Sequence, residues 1–128
     1  MEKNLILCDT NVFINWFRND KETLDQLKLI GPENICLSVV TFMELIQGCQ
    51  NKKELNVLIK KFDKYYTYYI TEQISLTAGK FMINYNLSHN LLIPDALIAA
   101  TAVENSIRLF TYNLKDFKYI KGLDLYFS

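Results

Sequence analysis

The stretch NLILC, Asn4–Cys8, is apolar from Leu5 onward and stops at the carboxylate of Asp9. An unbroken apolar run of strand length leaves no face for water, so it belongs to a strand covered on both sides in a parallel sheet. Further strands are predicted at ICLS (Ile35–Ser38), YTYYI (Tyr66–Ile70), RLFTY (Arg108–Tyr112) and LDLYF (Leu123–Phe127), all rich in β-branched, aromatic or leucyl side chains.

Segments of helical spacing separate these runs. TNVFINWFRN repeats apolar residues at Val12, Phe13, Trp16 and Phe17, and DKETLDQLKLIG closes on Gly31 and Pro32. VVTFMELIQG presents Phe42, Leu45, Ile46 and Cys49 on one face, and Lys52–Lys64 is again helical. Thr71 is suited to cap EQISLTAGKFMINYNL, and Pro94 to open the helix within NLLIPDALIAATAVENS, where its missing N–H costs nothing. Strands alternating with helices over crossover-length connections predict an α/β fold, a three-layer sandwich around a mostly parallel central sheet. With 128 residues and no repeat or linker, the chain is expected to form one domain over residues 1–128. In such sheets ligands collect beyond the carboxyl ends of the strands at the topological switch point, which selects Asp9, the Ser38–Glu44 segment and Thr111–Asn113.

Composition narrows the partners. Fourteen basic residues balance fourteen acidic ones, so an anionic partner must be held locally. Lys52, Lys53, Lys60, Lys61 and Lys64, interleaved with Leu55, Leu58, Ile59 and Phe62, read as the solvated face of an amphipathic helix in preference to a phosphate-binding face. Three cysteines without a CxxC pair suggest reduced thiols and a cytoplasmic setting. No apolar stretch reaches the roughly 20 residues that span a bilayer, so no membrane role is expected.

The carboxylates carry the chemistry. Asp95 shares a helical face with Ile98, Ala99 and Ala102, whereas Glu104 points to the opposite side. The helix dipole explains an acid in the first turn, but not one on an apolar face. Asp9 ends an apolar strand, where capping the next helix is the competing role. Glu44 shares a face with Thr41 and Gln47, opposite Phe42 and Ile46, which reads naturally as solvent-facing. Asn113 and Asp116 follow a strand end, where turn or cap chemistry competes with a functional role. Acids converging from distant segments repel unless a cation or a proton joins them. An all-oxygen donor set suits Mg²⁺ or Mn²⁺, which activate water and neutralise charge on a phosphodiester. The single histidine, His89, falls in NLSHNLL and is expected in a solvated loop, so neither a Ser/His/Asp hydrolase nor a histidine-based ribonuclease is supported.

LILCDTNVFI, SVVTFMELIQG, IPDALIAATA and LFTYNLKDF resemble, in order, the four motif blocks of PIN-domain proteins, across nearly the whole chain. The size resembles that of the VapC-type toxin ribonucleases of toxin-antitoxin pairs. The resemblance implies a metal-dependent endoribonuclease in which Asp9, Glu44 and Asp95 bind Mg²⁺ or Mn²⁺ and a metal-activated water attacks the phosphodiester. It further implies RNA ends bearing a 5′-phosphate and a 3′-hydroxyl, a homodimer, and a small antitoxin that blocks the site. Thr10, Asn11 and Thr111 match positions that line the site in the family. At the fourth acidic position this chain departs from the pattern: Asn113 stands there, and Asp116 is the nearest carboxylate and a further catalytic candidate.

Two rivals differ in class. Aspartate-dependent phosphatases also place a catalytic acid after the first strand but need a partner acid two residues on, where this chain has Asn11. A PIN scaffold that binds RNA or protein without cutting is the other, suggested by Asn113.

Overall fold

The computed structural model describes residues 4–127. Strands β1 (Ile6–Cys8), β2 (Ile35–Ser38), β3 (Tyr66–Tyr68) and β4 (Arg108–Phe110) form one sheet in the order β3-β2-β1-β4, with every pairing parallel. The helices are α1 (Thr10–Phe17), α2 (Lys21–Ile30), α3 (Val39–Gln47), α4 (Lys52–Phe62), α5 (Glu72–His89), α6 (Ile93–Glu104) and α7 (Leu114–Phe117), with a 3-10 turn at Pro32–Asn34. None of them is long and apolar enough to cross a membrane.

Successive strand side chains point to opposite faces of the sheet, and both faces are covered. Ile6, Cys8, Ile35, Leu37 and Phe110 pack on Val12 and Phe13 of α1, Leu45 of α3, and Leu58 and Phe62 of α4. Leu7, Cys36 and Leu109 turn the other way, onto Ile74 and Phe81 of α5 and the Ile98, Ala99 and Ala102 face of α6. This is the predicted three-layer α/β sandwich. Ala99 and Ala102 are completely buried, so α6 packs with little more than backbone between it and its neighbours.

Local signals set the helix ends. Thr71 caps α5 by accepting from the Ile74 N–H at 3.1 Å, and Pro94 lies in the first turn of α6. Asn90, with φ of 59°, ends α5 in the left-handed conformation that asparagine tolerates. That stop comes later than expected, so His89 sits in the last turn of α5 and not in a loop; its ring stacks on Tyr119 at 4.1 Å.

Strand ends also differ from expectation. β1 starts at Ile6, β3 stops at Tyr68 and β4 at Phe110. Leu123–Phe127 is not a strand: it touches β4 through one bridge, Leu109 to Leu125. Leu109 donates to Asp124 O at 2.9 Å and accepts from the Tyr126 N–H at 2.8 Å. Tyr126 and Phe127 then turn their rings onto Phe110, at 5.1 and 5.4 Å, so their aromatic character serves packing and not a ladder.

The sheet order has one consequence for function. From β1 the chain builds outward through β2 and β3, then returns to the other side of β1 with β4. Cys8 pairs with Phe110, and the Asp9 N–H donates to Phe110 O at 2.9 Å. The switch point therefore lies between β1 and β4, with Asp9 and Thr111 emerging side by side.

Candidate active site

Asp9 is 4% exposed and holds an extended backbone just before α1. Its Oδ1 accepts from the Thr10 N–H at 2.8 Å, and its Oδ2 from Thr111 Oγ1 at 2.8 Å. The cap role and a site role are thus compatible: each oxygen spends one lone pair on the scaffold and keeps another. Burial pushes the Asp9 carboxyl up from its ordinary value; the Thr111 and Thr10 hydrogen bonds oppose this, and the charges of Glu44 and Asp116 reinforce it.

Glu44 is not solvent-facing. Thr10 Oγ1 donates to Glu44 Oε1 at 2.6 Å and lies 3.1 Å from the hydroxyl of buried Thr41. Thr10 has one hydroxyl proton, so with that proton given to the carboxylate, Thr41 must be the donor to Thr10. The helical wheel placed Thr41 and Glu44 together correctly. It could not reveal that α1 packs against that face.

Asp95 enters from the first turn of α6, half-buried, as its position on the apolar face requires. Its carboxyl is pushed up to about 6, by burial first and then by the charges of Asp9, Asp116 and Glu44. Asp9, Thr10, Asn11, Glu44, Asp95 and Asn113 line one open cleft of about 420 Å³, together with Ile14, Gln47 and Gly48. Asn113 occupies the position before α7, yet its side chain makes no capping bond, leaving its amide free toward the cleft. Its N–H donates to Thr111 Oγ1 at 3.0 Å. Asp116 is exposed in the first turn of α7 and does not line the cleft, although its charge reaches Asp9 and Asp95.

Sequence reasoning singled out neither Ile14 nor Gln47, although each lies one turn beyond a candidate, Thr10 and Glu44 respectively. Tyr119 does not line the cleft and stacks on His89, and its phenol is pushed up by burial and then by Asp95 and Asp116. Only the tertiary return of the chain after α7 puts it there.

No three His, Cys, Asp or Glu side chains among the described residues stand close enough to form a closed cation cage. The donor set still fits a hard cation that keeps several waters and takes one or two carboxylates, since the cleft offers acids and amides and neither imidazole nor thiol. Thr111→Val, nearly isosteric, removes the hydroxyl that orients Asp9. It should weaken the apparent affinity for a divalent cation about 10- to 100-fold, measured by cation titration of the purified protein.

A parallel sheet sandwiched by helices, with acids gathered at the ends of β1, α3 and α6, defines a class of α/β domain with an acidic cleft at the switch point. The chain belongs to the PIN-domain family, whose profile matches residues 6–123. It is 34% identical over 129 residues to ribonuclease VapC1 of Methanocaldococcus jannaschii, covering 98% of this chain and 89% of that one. Among solved structures it is similar to a chain of a toxin-antitoxin complex from Klebsiella pneumoniae, with a TM-score of 0.79 and 28% identity, covering 92% of this chain and 94% of that one. The fold is likewise that of a chain of DNA-bound VapBC from Salmonella typhimurium, with a TM-score of 0.83 and 23% identity, covering 98% and 97% respectively.

Proposed function

We propose that this chain is a Mg²⁺- or Mn²⁺-dependent endoribonuclease, the toxin of a toxin-antitoxin pair. The observation that carries this reading is the meeting of Asp9, Glu44 and Asp95 in one open cleft, where burial and the neighbouring carboxylates make the charges of Asp9 and Asp95 costly without a cation. A bound divalent ion would supply charge neutralisation on the scissile phosphate and a more acidic water.

The chain's own residues hold and orient. Asp9 and Asp95 are the principal ligands, with Asp9 fixed by Thr111 and the Thr10 N–H. Glu44 is held by Thr10 and lines the cleft as a further acidic group. Asn11 and the Asn113 amide line the cleft as neutral groups able to position a phosphate oxygen. Asp116, outside the cleft, adds negative charge that reaches Asp9 and Asp95. The expected ends are a 5′-phosphate and a 3′-hydroxyl.

A small antitoxin that closes the acidic cleft with a basic side chain is supported by the likeness to toxin-antitoxin complexes. A homodimer is supported by the apolar surface of Ile83, Leu87, Leu92 and Ile93, between 55% and 97% exposed. A cytoplasmic location is supported by the free thiols of Cys8, Cys36 and Cys49. The purified protein is expected to cut single-stranded RNA with Mg²⁺ or Mn²⁺, to stop on chelation, and to lose cutting in Asp9→Asn. Equal cutting by Asp9→Asn would sink the assignment. The second reading, a non-cutting scaffold, is favoured by Asn113 in place of an acid; RNA binding without cleavage under every divalent ion tried would select it.

A further inference from the structure

A second, larger groove, of about 770 Å³, opens between α1, α3 and α4 and runs into the acidic cleft, sharing Ile14, Glu44 and Gly48 with it. Its floor is aromatic. Trp16 and Phe17 stack at 5.5 Å with 25° between their planes, and Phe17 keeps 37% of its surface exposed. Cations stand at its rim: Arg18, Lys53 and Lys61 line it, and Lys61 Nζ lies 5.1 Å above the Trp16 ring and 5.8 Å above Phe17.

The two acids of this groove are committed elsewhere. Glu54 accepts from the Gln50 N–H at 2.9 Å in the capping arrangement that starts α4, and Glu44 is bound to Thr10. Among the described residues, the only ion pair joins Lys21 to Asp25, so Arg18, Lys53 and Lys61 have no carboxylate within 4 Å. The helix of α4 is therefore not merely a solvated lysine face: two of its lysines border an aromatic-floored groove.

We infer that this groove is a nucleotide subsite, which seats a base of single-stranded RNA against Trp16 and Phe17 and its phosphate against Lys61 and Lys53, next to the scissile bond in the acidic cleft. This rests on the nuclease reading. The chemistry matches in two respects that an apolar peptide would not need together. Flat π surfaces receive any base, and unpaired cations receive the backbone that links it to the next nucleotide. An exposed cation–π contact is weaker than base stacking combined with a phosphate pair, so Lys61 gains by moving from the ring to the phosphate. Continuity with the cleft also assigns a register: the base in the groove belongs to a nucleotide flanking the cut.

Trp16 is the only tryptophan of the chain and thus reports this groove alone. A mixed-sequence single-stranded oligoribonucleotide, titrated into the full chain in chelator, should quench Trp16 fluorescence saturably. Lys53→Gln and Lys61→Gln, at exposed positions that do not threaten the fold, should each weaken binding several-fold. Each should also flatten the slope of log affinity against log salt by about 0.7. Trp16→Leu, which lacks the fluorophore and is followed by the anisotropy of an end-labelled oligoribonucleotide, should weaken it roughly tenfold. Because no metal is present, the titration reads binding whether or not the chain cuts. Cleavage without quenching, or slopes unchanged in both lysine variants, overturns the subsite and leaves the nuclease reading intact; quenching in a chain that never cuts does the reverse. Weaker antitoxin binding by Lys61→Gln with an unchanged RNA titration gives the groove to a protein partner and also overturns the proposal.

Discussion

Asp95→Asn should lower RNA cleavage at least about a thousandfold, the equivalent of losing about 4 kcal/mol of transition-state stabilisation, while the fold stays intact. The substitution keeps shape and hydrogen-bonding size, and removes the charge that Asp9, Glu44 and Asp116 all oppose. The carboxyl of Asp95 is raised to about 6 in the folded chain, against about 4 in an unfolded one. Its contribution to metal-free stability is fully present below about pH 4 and is lost as pH rises through about 6. Thermal denaturation in chelator should therefore show wild type losing stability across that interval, with the Asn variant flatter and a few degrees more stable at neutral pH. Added Mg²⁺ should reverse the ranking by stabilising wild type alone. A variant that cuts at the wild-type rate, or wild type that gains nothing from Mg²⁺, would contradict the ligand role.

Phe13→Ala is the core change with the largest expected cost. Phe13 is completely buried, edge-on to Phe62 at 4.9 Å and tilted against Trp16 at 6.2 Å. Truncation leaves a cavity between α1, α4 and the sheet, with a loss of about 3–5 kcal/mol out of the roughly 5–15 that holds a domain of this size together. The melting temperature should fall by about 10–20 °C. Activity should fall as well at temperatures where the fold survives, because α1 carries Thr10 and Asn11 into the cleft. A melting point within 2–3 °C of wild type, on the order of experimental scatter, would mean that the neighbouring rings refill the space.

The sequence is most informative where burial is two-sided. ICLS matches β2 from end to end, because a short apolar run has only one way to hide both faces. Asp95 is equally legible, since Ile98, Ala99 and Ala102 fix which side of α6 is buried. Glu44 is the opposite case. Its own helix makes it look exposed, and only the approach of α1, through Thr10, turns that face into a site wall. His89 and Leu123–Phe127 depart from their local pattern for a related reason. A helix can run on to a left-handed asparagine, and aromatic residues after Gly122 can serve a neighbour's ring instead of a ladder. Local patterns report which elements a segment can form, whereas the company it keeps depends on pairings 30 to 102 residues distant.

That longest separation, from Asp9 to Thr111, bears on how such a chain is made. A protein that cuts RNA must be synthesised on RNA, emerging amino end first. While the carboxyl-terminal quarter is still within the ribosome, β1 has β2 on one side and nothing on the other, α6 has not delivered Asp95, and Asp9 Oδ2 has no hydroxyl to hold it. The strand order thus sets an order of assembly: the carboxylates and the hydroxyl that orients Asp9 meet only once α6 and β4 have emerged.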